Sequence, residues 1–125
     1  MIHLDTSFLI RALRSGSTED RRLRAWLSEH VPLRISAVNW TEFLSGPVRA
    51  REIELAARIA PEPMSFTAED SMIAAKLYNL GGRRRGSLVD CMIAASALRA
   101  GASLATSNAT DFTRLESAGL RVISS

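Results

Sequence analysis

The chain has 125 residues, 46% hydrophobic and 23% charged, the composition of a soluble globular protein and long enough for one domain, residues 1–125, with a real core. Its one cysteine, Cys91, excludes an internal disulfide, and no apolar run approaches the roughly 18 residues of a membrane span. The net charge is +3 and Lys76 is the only lysine. Arginine's planar fork suits phosphate and nucleic acid, although an Ala- and Arg-rich chain is also what a GC-rich genome writes. The opening residues carry neither a basic stretch nor a long apolar one, so the expected location is the cytoplasm.

Ile2-His3-Leu4 reads as a first strand ending at Asp5. Asp5 or Thr6 caps a short helix with Phe8, Leu9 and Leu13 apolar, and Ser15-Gly16-Ser17 breaks it. Ser17 and Asp20 have capping-box spacing before a helix over about 18–29 that carries Leu23, Trp26 and Leu27. Leu33 to Ser36 reads as strand two. Ser36 then caps a helix through Leu44, closed by Gly46-Pro47. A helix over about 48–60 follows, and Met64-Ser65-Phe66 reads as a short strand beyond Pro61 and Pro63. Thr67, three before Asp70, opens a helix through Leu80.

After Gly81-Gly82-Arg83-Arg84-Arg85-Gly86, Ser87 opens the most apolar helix of the chain, stopped by Gly101. Ser103 to Thr106 is a further strand, Asn108 to Leu115 a polar loop and short helix, and Leu120 to Ser124 the last strand. Strands alternating with helices predict a three-layer α/β/α sandwich around a mostly parallel sheet, an α/β fold.

Thirteen acids lie along the chain, and Glu19, Asp20, Glu29, Glu52, Glu54, Glu62 and Glu69 fit a solvated face. Asp5, Glu42 and Asp90 sit instead in apolar or strand-end surroundings, and Asp111 lies close to Thr106-Ser107-Asn108. Each has a plain structural reading. Asp5 can be an N-cap, Asp90 can complete a capping box with Ser87, Glu42 can sit on the edge of an amphipathic helix, and Asn108 fits a turn. Together they converge, because in a parallel sheet the strand carboxyl ends and the following helix starts share one edge. Clustered carboxylates repel unless a proton or a cation intervenes. Oxygen ligands suit Mg²⁺ or Mn²⁺ and phosphodiester chemistry. His3, His30 and Cys91 have no zinc-site spacing, and no phosphate-binding glycine loop is present.

Four blocks then resemble one family. Ile2-His3-Leu4-Asp5-Thr6-Ser7, Ser36 to Gly46, Leu88-Val89-Asp90-Cys91-Met92-Ile93-Ala94-Ala95 and Ala105 to Phe112 resemble, in order and spacing, the motifs of PIN-domain ribonucleases, and most of all the VapC toxins of toxin–antitoxin pairs. The resemblance implies Mg²⁺- or Mn²⁺-dependent endonucleolytic cleavage of RNA, leaving 5′-phosphate and 3′-hydroxyl ends. It implies tRNA or ribosomal RNA as substrate and a VapB-type antitoxin as partner. Asp5, Glu42 and Asp90 match the family's main acids and are the expected metal ligands. The fourth acid falls on Asn108, leaving Asn108 or Asp111 to complete the site. Thr6, Thr106 and Ser107 match supporting polar positions.

Arg11, Arg14, Arg83, Arg84 and Arg85 are candidate RNA contacts, with a solvated loop or an antitoxin contact as the alternative. A homodimer is expected, through Trp26/Leu27 or Ile53/Ile59 unless these fill the core. The rival readings are a catalytically silent PIN fold acting through protein contacts and a metal-dependent phosphatase or receiver-like domain. The latter lacks a lysine near the last strands.

Overall fold

The computed structural model describes residues 1–124. Its core is a four-stranded sheet of β1 (Ile2–Leu4), β2 (Leu33–Arg34), β3 (Ser103–Thr106) and β4 (Arg121–Ser124), in the order β2-β1-β3-β4 and parallel throughout. Strand residues point alternately to opposite faces, and the sequence uses both. Ile2, Leu4, Leu33, Ala105 and Ile123 face one apolar cluster, built with α1 (Thr6–Ala12), α2 (Thr18–Ser28) and α4 (Ala50–Ile59). Leu104 and Val122 face the other, with α5 (Ala68–Leu80) and α6 (Leu88–Ala100). The α3 helix (Ala37–Ser45) bridges them at one edge, giving Phe43 to the first cluster and Val38 to the second. The fold is therefore the expected α/β/α sandwich, with β1 interior.

The helix starts follow the sequence in three cases. Ser17, Ser36 and Thr67 accept hydrogen bonds from the backbone N–H groups of Asp20, Asn39 and Asp70. Gly101 takes the left-handed conformation that ends α6 (φ +66°). The strand expected at Met64–Phe66 reduces to one parallel bridge from Met64 to Ser36, because Pro61 and Pro63 leave little backbone able to donate to a ladder.

Glu19 and Asp20 do not lie on a solvated face. Both are buried. Asp20 accepts from the Gly16 N–H and from Arg24, and Glu19 accepts from the Ser107 hydroxyl across 88 positions of sequence. Trp26 stacks on Phe8, and Ile53 and Ile59 pack on the core, which gives them structural work, whereas Leu27 stays exposed.

Candidate active site

The carboxyl edge of the sheet carries a cleft of about 320 Å³ in which Asp5, Glu42, Asp90, Asn108 and Asp111 converge. Four chain segments deliver them. Asp5 leaves β1, Glu42 projects from the second turn of α3, Asp90 stands in the first turn of α6, and Asn108 and Asp111 belong to the 3₁₀ turn after β3.

Asp5 occupies the N-cap position of α1, yet its side chain makes no capping bond. Its carboxylate is turned into the cleft and held there. Oδ2 accepts from Ser7 Oγ and from Thr106 Oγ1, each at 2.8 Å, and Oδ1 accepts from Asn39 Nδ2 at 2.9 Å. Three donors hold a buried anion in one rotamer and offset the cost of taking it out of water.

Asn39 also donates to Thr6 Oγ1 at 3.0 Å and, at 3.4 Å, to Glu42 Oε1, which Thr6 Oγ1 reaches at 3.0 Å. The amide is aimed by Ser36, whose hydroxyl donates to Asn39 Oδ1 at 2.9 Å while accepting the backbone N–H of the same residue. One α3 cap therefore fixes the residue that ties Asp5 to Glu42.

Asp90 has a different environment. Burial pushes its carboxyl up to about 6, and the charges of Asp111, Asp5 and Glu42 push the same way against Arg114. Ser87 does not cap this turn: its hydroxyl donates to the Arg84 carbonyl at 2.6 Å. The capping-box reading of Asp90 fails because Ser87 has helical backbone angles (φ −96°, ψ −3°), where Ser36 and Thr67 have the extended ones a cap requires. Of the two residues offered for the fourth corner, Asp111 acts on Asp90 more strongly than any other charge. Asn108 is held by its backbone N–H, which donates to Thr106 Oγ1 at 3.0 Å.

The donor set is all oxygen, which fits a hard divalent cation. Among the described residues no group of three or more acidic, histidine or cysteine side chains is close enough to close around a metal. The arrangement fits an ion that keeps several waters and takes one or two carboxylates, the habit of Mg²⁺. The repulsion that adds to burial in raising Asp90 is what such a cation relieves.

Of the expected supporting residues, Thr6 and Thr106 bond to the acids. Ser107 acts one step back, its N–H donating to Ser7 Oγ at 3.0 Å and its hydroxyl to Glu19. Arg84 and Arg85 line a second cavity beside Asp90, together with Arg114. Arg83 is engaged elsewhere, donating to Asn79 Oδ1 at 2.7 Å and lying over Tyr78. Arg11 and Arg14 sit toward the far end of α1 and line neither cavity. Sequence reasoning missed Asn39, Ser7, Glu19 and Arg114. Asn39 had a signal, since it precedes Glu42 by three and shares its helix face.

A model of the PIN domain family matches residues 2–117. The fold is also similar to VapBC2 from Rickettsia felis bound to a DNA fragment from its promoter, at 19% identity and a TM-score of 0.78, covering 100% of this chain and 99% of that one. DNA-bound VapBC from Salmonella typhimurium is similar at 18% identity and a TM-score of 0.76, over 98% and 96% of the two chains. Mycobacterium tuberculosis VapC20, a sarcin-ricin loop cleaving toxin, is similar at 19% identity and a TM-score of 0.60, over 85% and 87%. The comparison with curated proteins gives no match.

Proposed function

The chain belongs to the PIN domain family, and from that premise we propose that it is a metal-dependent endoribonuclease, the toxin of a VapBC-type toxin–antitoxin pair. One observation carries the reading: acids from four separate chain segments line one cleft, where burial and then the charges of Asp111, Asp5 and Glu42 push the Asp90 carboxyl up to about 6. A fold has little structural reason to gather carboxylates without cations, and perturbed groups in a cleft mark functional sites.

Asp5 and Asp90 would hold a divalent Mg²⁺ or Mn²⁺ ion, with Glu42 directly or through water. Such an ion, when bound, supplies neutralisation of the phosphate and a more acidic water. The protein's own part is positioning. Ser7, Thr106 and Asn39 fix Asp5, Thr6 and Asn39 fix Glu42, and Asp111 adds charge where the family's fourth acid has become Asn108. The VapBC likenesses support an antitoxin as partner, and the sarcin-ricin loop cleaver supports structured RNA as substrate. Exposed Leu27 and Leu55 flank a groove between α2 and α4, apolar surface of the kind a partner helix covers. A second copy of the chain completes the proposed partners.

The test is incubation of purified protein with tRNA and ribosomal RNA, with Mg²⁺ or Mn²⁺ and with EDTA. Discrete cuts bearing 5′-phosphates, absent in EDTA, are expected. Intact RNA under all conditions contradicts the reading.

A further inference from the structure

The acidic cleft continues into a basic one. Arg84, Arg85 and Arg114 line a notch of about 120 Å³ with Ser87, Asp90 and Asp111. Asp90 and Asp111 also line the cleft, so the two cavities open onto each other.

The arginines of the notch are uncommitted. Among the described residues the ion pairs are Arg24 with Asp20 and Arg99 with Asp70, and none involves Arg84, Arg85 or Arg114. Arg114 is the most constrained. Its Nη2 is shielded from water and has no hydrogen-bond partner among the described residues. Its Nη1 lies close to Gly81, where an added Cβ would come within 3.2 Å of it. That nitrogen is closed to an incoming ligand, so what Arg114 offers the notch is the rest of its guanidinium. The loop carrying Arg84 and Arg85 is bounded by Gly82 and Gly86 at φ +79°, with Arg83 itself left-handed at φ +55°. The start of α6 adds Ser87 and Asp90 to the notch wall.

We propose that this notch holds the RNA phosphate adjoining the scissile one, with Arg114 as its fixed contact and Arg84 and Arg85 as its outer ones. The proposal rests on the nuclease reading. Guanidinium forks match phosphate oxygens. The juxtaposition selects nucleic acid over a protein carboxylate, because a strand that sets one phosphate among the arginines sets its neighbour beside Asp90 and Asp111. A lone carboxylate gains nothing from the acidic half. Arg83 and the Arg11/Arg14 pair fall outside this role.

The test is fluorescence anisotropy of a labelled single-stranded oligoribonucleotide in EDTA, across a range of salt. Arg114→Gln should weaken binding about tenfold and reduce the log–log salt slope by about one. Arg114→Lys should keep the slope. Arg85→Gln, at an exposed loop position, should also reduce the slope, while Arg14→Gln should not. Unchanged slopes in both Arg114→Gln and Arg85→Gln overturn the proposal. So does a loss confined to polyglutamate binding, which would assign the notch to a protein chain. Cleavage by wild-type protein, assayed in parallel with Mg²⁺, separates the two failures. RNA cut with unchanged slopes removes the notch alone, and uncut RNA removes the nuclease reading.

Discussion

The helices α5 and α6 pack together, and each carries an aspartate in its first turn, three residues after a hydroxyl residue. At α5, Thr67 and Asp70 bond reciprocally, and Asp70 also takes the guanidinium of Arg99 and a hydrogen bond from Ser96. Burial pushes the Asp70 carboxyl up, but these donors together bring it below its ordinary value. At α6, Ser87 has helical backbone angles and makes no cap, no cation pairs with Asp90 among the described residues, and the charges of three other acids act on it. The same local pattern gives a capped, paired acid at one end of the helix pair and an uncapped, unpaired one at the other. What separates them is the backbone of the hydroxyl residue, extended at Thr67 and helical at Ser87, and what the opposite element brings.

The largest way to sharpen this contrast is to remove each acid in turn. Asp70→Ala leaves Arg99 without its partner, and breaking a buried pair costs about 3–5 kcal/mol. Urea denaturation should show a loss of that order. A loss under about 1 kcal/mol would reduce Asp70 to a surface-like pair.

His3, on the face of β1 that meets α5 and α6, adds a pH test. It is buried without a hydrogen-bond partner among the described residues. Burial, with Arg34 and Arg99 nearby, lowers it from 6.5 to about 4. Stability from neutral His3 is full above pH 6.5 and is lost as pH falls through about 4, by roughly 2–3 kcal/mol. His3→Leu should flatten that acid limb, and an unaltered limb would show that His3 is not its source.

Asn39 tests the bracing of the cleft. Asn39→Ala should weaken Mn²⁺ binding, read by calorimetry, about 10- to 100-fold, the usual effect of losing a residue that orients ligands. Unchanged affinity would show that Ser7, Thr6 and Thr106 suffice.

The smallest effect is on Asp90 itself. Its folded value lies above the unfolded one, so its favourable contribution is full below about pH 3.8 and is lost as pH rises through about 6. Asp90→Asn should therefore stabilise the metal-free protein at neutral pH, on the order of 1 kcal/mol after discounting for partial exposure. Destabilisation instead would mean that the charge is already compensated.

Much of this was legible in the sequence. The run Ile2-His3-Leu4 before Asp5, the capping signals at Ser36 and Thr67, and the apolar α6 stopped by Gly101 each follow from local chemistry, and together they place the acids on one edge. The unread parts depend on distant partners. Glu19 looked solvated because its contact with Ser107 spans two thirds of the chain. Arg114 stands in a short 3₁₀ turn, and nothing local says that it lines the same notch as Asp90. Ser87 and Thr67 look alike in sequence, and only the fold gives one a helical and the other an extended backbone.

The most direct measurement is RNA cleavage by the wild-type protein and by Asp5→Asn with Mg²⁺, with folding of both checked by circular dichroism. The account predicts discrete cutting by the wild type and a loss of at least about a hundredfold in the folded variant. Equal cutting by both, or none by the wild type, would contradict it.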